Sequence, residues 1–209
     1  MASELSRPHV WKPASDPADA PTLLLLHGTG ADERDLLGLG KLLVPHANLL
    51  SPRGLVEVDG MLRHFLRYPD GSFDEPGIRL AAADLASFTW LAGVKYGFNP
   101  DRVWAVGFSN GANAAGAMLL TQPDSVAGIV AFGTTKSFAK PIVPAPDLAG
   151  KRVFIANGRL DDYSPAAKTA EMVAEFEELG ANVKVLLHGG GHTIVNEHVR
   201  LISEALIGI

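Results

Sequence analysis

There is no cysteine among the 209 residues. That single absence removes disulfide staples, thiolate metal sites and a cysteine nucleophile together. Charge is also modest, at 20% of residues with a net value of −5. No basic stretch overrides it, so the electrostatic footprint of a nucleic-acid-binding protein is missing. Long apolar runs are scarce. Leu23 to Leu26 is the longest unbroken aliphatic run, far too short to cross a bilayer, and Met1 to Asp19 carries no signal pattern. The glycine-rich stretch after Leu26 contains neither Gly-Lys-Ser/Thr nor Gly-x-Gly-x-x-Gly, which argues against a phosphate loop. What remains is 47% hydrophobic and long enough to bury a substantial core as one domain, residues 1–209. The expectation is a cytoplasmic protein with no nucleic-acid partner and no stable membrane insertion. Homo-oligomer formation is left open.

The chain alternates short apolar runs with amphipathic segments. Thr22–Leu26, Val103–Val106 and Val126–Phe132 read as buried strands, and Ala47–Leu50, Arg152–Ala156 and Val183–Leu187 as further strands. Helical patterns fall between them at Glu33–Leu43, Ile78–Tyr96, Ala112–Leu120, Ser164–Leu179 and Ile194–Ile207. Such alternation predicts an α/β fold with a mostly parallel sheet. Residues 1–20, with three prolines, read as a loosely packed lead-in from which His9-Val10-Trp11 could add an edge strand. Residues 53–77 form a long connection rich in large apolar groups, read as a flap over a site.

Val103-Trp104-Ala105-Val106-Gly107-Phe108-Ser109-Asn110-Gly111 is the stretch with the most chemical content. A strand that turns into a helix through Gly-x-Ser-x-Gly lifts the serine above the sheet edge. A serine hydroxyl there either caps the helix or acts as a nucleophile. Nucleophilic use requires an imidazole to take the proton and a carboxylate to orient the imidazole. Asp161 and His192 each follow a different later strand, at the same sheet edge. The tetrahedral oxyanion needs backbone donors, and the N–H groups of Thr29 and Asn110 are placed to supply them. Met61, Phe65, Leu66 and Tyr163 are the candidate pocket residues. No metal ligand set or organic cofactor is expected.

With Leu-His-Gly-Thr-Gly-Ala-Asp at 26–32, Ser-Pro-Arg-Gly at 51–54, Gly-Phe-Ser-Asn-Gly-Ala-Asn at 107–113, Asn-Gly-Arg-Leu-Asp at 157–161 and Gly-Gly-His at 190–192, the chain resembles the small carboxylesterase/phospholipase group of α/β-hydrolases. That group includes acyl-protein thioesterases. Residues 67–75, ending Gly-Ser-Phe-Asp-Glu, resemble the bacterial quinone-stress esterase branch. The resemblance implies a three-layer α/β/α sandwich with the α/β-hydrolase fold. It also implies a serine nucleophile, an aspartate, a histidine and backbone oxyanion donors, which match Ser109, Asp161, His192, Thr29 and Asn110. Family members carry proline after the aspartate; Asp162 stands there in this chain, and the glycine spacing favours Asp161. The implied activity is hydrolysis of small to medium carboxylic esters through an acyl-enzyme. A thioesterase or lysophospholipase would use the same residues, and a non-catalytic binding module is the alternative of another class.

Overall fold

The computed structural model describes residues 5, 7–68 and 70–209. Seven strands form one sheet: β1 (His9–Lys12), β2 (Thr22–Leu26), β3 (Asn48–Pro52), β6 (Val103–Phe108), β7 (Gly128–Phe132), β8 (Arg152–Gly158) and β9 (Asn182–His188). Their spatial order is β1-β3-β2-β6-β7-β8-β9. Only β1 runs antiparallel to its neighbour; every other pairing is parallel. From β2 the chain moves outward to β3, then returns to place β6 on the other side of β2. The loops after β2 and β6 therefore diverge from a topological switch point, where open parallel sheets leave a crevice.

Strand alternation divides the core in two. Leu24, Leu26, Ala105, Ile129 and Ile155 pack with helices α2 (Glu75–Tyr96), α3 (Asn110–Thr121) and α4 (Ala166–Glu178). Leu23, Leu25, Val106, Val130 and Phe154 pack on the other face with α1 (Leu37–Leu43) and α5 (Asn196–Ala205). Period-two side chains on strands buried on both faces give this three-layer α/β/α arrangement. Helix α3 sits deepest: every residue from Asn110 to Leu120 is buried. Its small side chains let α3 lie close against the sheet and α2.

Several local expectations change. Residues 32–36 are not helical; Asp32 instead accepts the Arg34 N–H at 2.8 Å, a local turn that delays α1 until Leu37. The connection 53–77 holds a hairpin, β4 (Val56–Val58) paired with β5 (Met61–Arg63), and α2 begins within it at Glu75. The lead-in is packed where it is described: Trp11 stacks on Tyr96 with ring centroids 4.7 Å apart and planes 7° from parallel. His9 Nε2 lies 2.7 Å from the Tyr96 hydroxyl, and Arg7 pairs with Asp84. Residues 1–4 and 6 of that lead-in lie outside the described residues.

Stacking of this kind makes β1 part of the fold's stability. Trp11→Ala should cost about 2 kcal/mol and lower the melting temperature by roughly 4–8 °C in a thermal scan. A melting temperature unchanged within a degree would show that the arm contributes nothing.

Candidate active site

Ser109 follows β6 directly and holds φ 54°, ψ −117°, a strained conformation for a residue with a Cβ. The neighbouring glycines make that turn possible. A Cβ on Gly107 would overlap the backbone of Gly111, and one on Gly111 would overlap the carbonyls of Leu26 and His27. The turn is fixed by Ser109 N–H donating to Phe132 O at 2.9 Å and by Asn113 N–H donating to Ser109 O at 3.0 Å. Ser109 stands at the N-cap position of α3, yet its side chain makes no capping bond. The hydroxyl is left to the cleft.

His192 and Asp161 arrive from the loops after β9 and β8. His192 Nδ1 lies 2.7 Å from Asp161 Oδ2. The other carboxylate oxygen accepts the N–H groups of Tyr163 at 2.9 Å and Ser164 at 3.1 Å. Asp161 is only 4% exposed, whereas the Asp162 side chain faces solvent. With the carboxylate held on both oxygens, the imidazole is oriented with Nδ1 as donor and Nε2 free for the cleft. The ring lies between Phe108 and Tyr163, with centroids 4.9 and 5.0 Å away. No hydrogen bond joins His192 to the Ser109 hydroxyl, but both line one cleft of about 480 Å³. Catalytic contacts of this kind commonly tighten only when substrate is bound.

Thr29 and Asn110 line the same cleft from the two sides of the switch point. Gly30 N–H is committed to Leu62 O at 2.9 Å and Ala31 N–H to Gly28 O at 3.2 Å, while the Thr29 N–H has no backbone partner among the described residues. The Asn110 side chain has a role that the sequence did not reveal. Its Oδ1 accepts His64 N–H at 2.7 Å, and its Nδ2 donates to Phe65 O at 3.0 Å. The segment expected to be a flap is thus bonded to the residue beside Ser109 and to the Thr29 turn. It is a built wall of the cleft.

Of the expected pocket residues, Met61 and Tyr163 line the cleft. Phe65 does not: it is 1% exposed and packs in the core, edge-on to Phe73 at 5.2 Å. Leu66 is half-buried outside the cleft and bonds through its carbonyl to Asp74 N–H. The hairpin register turns Met61 inward to the cleft, and the Asn110 clamp pins the carbonyl of Phe65 on the far side. Arg63, Arg67, Phe73 and Asn113, none of them expected as pocket residues, line the cleft where Phe65 and Leu66 do not. Behind that wall, Arg53 Nε donates to Glu33 Oε2 at 2.6 Å and its terminal nitrogen to Oε1 at 2.8 Å. Hydrogen bonding to Arg53 is the main cause that holds the Glu33 carboxyl down at about 2. This fork ties the loop after β2 to the loop after β3.

A mostly parallel sheet between helical layers, with a strained serine turn at its switch point, defines an α/β-hydrolase. The sequence model of the phospholipase/carboxylesterase family matches residues 8–207, and the chain belongs to that family. It is a hydrolase of this class. It is 37% identical over 187 residues to the hydrolase MhqD of Bacillus subtilis, covering 87% of this chain and 90% of MhqD. The Bacillus cereus carboxylesterase structure superposes with a TM-score of 0.91 at 34% identity, covering 96% of this chain and 93% of that one. The structure of YahD with malic acid gives a TM-score of 0.89 at 26% identity, covering 96% and 98% of the two chains. Among the described residues, no helix is long and apolar enough to cross a membrane.

Two histidines near these loops make the fold sensitive to acid. Burial, then the neighbouring His27 and Arg7, hold the His64 ring well below its ordinary value. Burial likewise lowers His198, with His188 adding to it. Both rings resist protonation more in the folded chain than in the unfolded one, so the unfolded state binds more protons just below pH ~6.5. Stability should therefore fall as pH drops through that value, by at most about 1.4 kcal/mol per pH unit for each ring. Urea midpoints at pH 7.0 and 5.5 measure the loss, and His64→Leu should shrink it. An identical loss in the variant would assign the acid sensitivity elsewhere.

Proposed function

We propose that the protein is a serine carboxylesterase that hydrolyses small to medium carboxylic esters through an acyl-enzyme on Ser109. The observation that carries this reading is the doubly held Asp161 carboxylate orienting His192 across the cleft that Ser109 shares. In the proposed sequence, His192 Nε2 takes the hydroxyl proton as Ser109 Oγ attacks the ester carbonyl carbon. The carbonyl oxygen gains the negative charge and is received by the N–H groups of Thr29 and Asn110. The tetrahedral intermediate collapses, the alcohol leaves with the proton returned from His192, and the acyl group stays on Ser109. Water then repeats the steps, with His192 as base, and releases the acid. Asp161 keeps the imidazole in the tautomer this requires and stabilises the imidazolium. No step calls for a metal or an organic cofactor. Small to medium esters are favoured because the cleft is about 480 Å³ and bounded by a wall bonded to both oxyanion loops.

Labelling with a fluorophosphonate probe, followed by peptide mapping, tests the reading directly. The expected adduct is on Ser109, and Ser109→Ala and His192→Ala should each lower kcat on 4-nitrophenyl butyrate by roughly 10⁴-fold or more. Folded protein that takes no adduct on Ser109 and hydrolyses no ester would overturn it. Matched oxyester and thioester kinetics then separate esterase from thioesterase preference.

A further inference from the structure

One cationic side chain in the cleft wall has no partner among the described residues. Arg63 is half-buried and lines the cleft with Ser109 and His192. Its Nε is enclosed and makes no hydrogen bond. Its guanidinium forms no hydrogen bond or ion pair with any described residue. The other arginines that are not exposed are all engaged. Arg7 pairs with Asp84, Arg53 with Glu33 and Arg102 with Asp19. Arg152 donates to Ala205 O at 2.5 Å and lies over Trp104. Arg67 donates to Gly71 O at 3.0 Å and stacks over Tyr163 and Phe73, its central carbon 5.4 and 5.7 Å from the two ring centres.

Position strengthens the case. Arg63 closes β5, and the residues on either side of it are bonded to the two loops that carry the proposed oxyanion donors. Leu62 O accepts from Gly30, next to Thr29, at 2.9 Å; His64 N–H donates to Asn110 at 2.7 Å. The arginine is thus held in fixed register with the reacting centre. Among the described residues, Arg67 lines the same cleft and also lacks a carboxylate partner, while Asp35 is the only acidic side chain in the cleft wall. An Nε–H withdrawn from water without a partner is destabilising, and the guanidinium fork that carries it matches a carboxylate.

We infer that the preferred substrate is an ester that also bears a carboxylate, and that Arg63 is the specificity-determining residue that receives this anion. Arg67, its charge spread over two aromatic faces, adds positive potential behind it. The inference rests on the esterase reading and narrows it from esters in general to half-esters and esters of carboxylated alcohols.

Two matched substrate pairs locate the anion. On the acyl side, the 4-nitrophenyl half-ester of glutaric acid is compared with 4-nitrophenyl pentanoate. On the alcohol side, 4-acetoxybenzoate is compared with its methyl ester. In at least one pair kcat/KM should favour the charged substrate by about 10-fold or more at low salt, and the ratio should shrink by 0.5 M NaCl. Arg63→Gln should bring that ratio close to one, chiefly through KM for the charged substrate, and Arg63→Lys should retain part of it. Fluorophosphonate labelling of Ser109 in each variant reports an intact site. Wild-type protein that hydrolyses the neutral esters as well as or better than the charged ones refutes the inference and leaves the esterase reading standing, as does a preference unmoved by Arg63→Gln. Failure on all four esters with no adduct on Ser109 refutes both.

Discussion

The close approach of two backbones underlies this structure. The first turn of α3 comes against the carbonyls of Leu26 and His27 so tightly that no side chain fits at Gly111. That contact brings the turn after β6 and the turn after β2 together at the switch point. Ser109 is held in its positive-φ conformation as a result, with a hydroxyl that is not spent on capping the helix. Strain at one residue persists only where the surroundings over-determine it. Here the surroundings are a buried helix of small residues and a sheet packed on both faces.

From that contact the rest of the cleft is assembled by hydrogen bonds between loops. Asn110 reaches across to His64 and Phe65, Gly30 to Leu62, and Arg53 to Glu33. Each bond joins a segment that carries a candidate functional group to one that shapes the wall. On the opposite side, Asp161 is fixed by two backbone N–H groups and in turn fixes His192. Positioning of this kind, in which every orienting group is itself oriented, is what a constellation needs to be pre-formed before substrate arrives.

The sheet was legible in the sequence because most of its strands are short apolar runs bounded by turn residues, the central ones of the kind buried on both faces, whereas β9 at the edge is largely exposed. Ser109, Asp161 and His192 were legible because each follows such a run, so topology alone brings them to one edge. The wall was not legible in the same way. Residues 61–66 look like a generic apolar pocket lining in sequence, but hairpin register and the Asn110 clamp decide which of them face in. Phe65 went to the core and Arg63 to the cleft, an outcome set by long-range hydrogen bonds that leave no local pattern. The late start of α1 has a smaller cause of the same type, since the Asp32 side chain competes for the backbone that a helix would use.

The position of β1 at one end of the sheet and β9 at the other has a bearing on how the molecule avoids its own kind. Each of these strands shows one unpaired row of backbone groups. β1 is four residues long and is bracketed by Pro8 and Pro13, which offer no N–H to a neighbouring chain. β9 is longer, but Lys184 stands exposed at its middle with Asn182 at its start. Another sheet sliding alongside would meet either a strand too short to zip onto or an ammonium group it would have to strip of water. The ends of the sheet are therefore guarded against edge-to-edge aggregation by chain punctuation on one flank and by charge on the other.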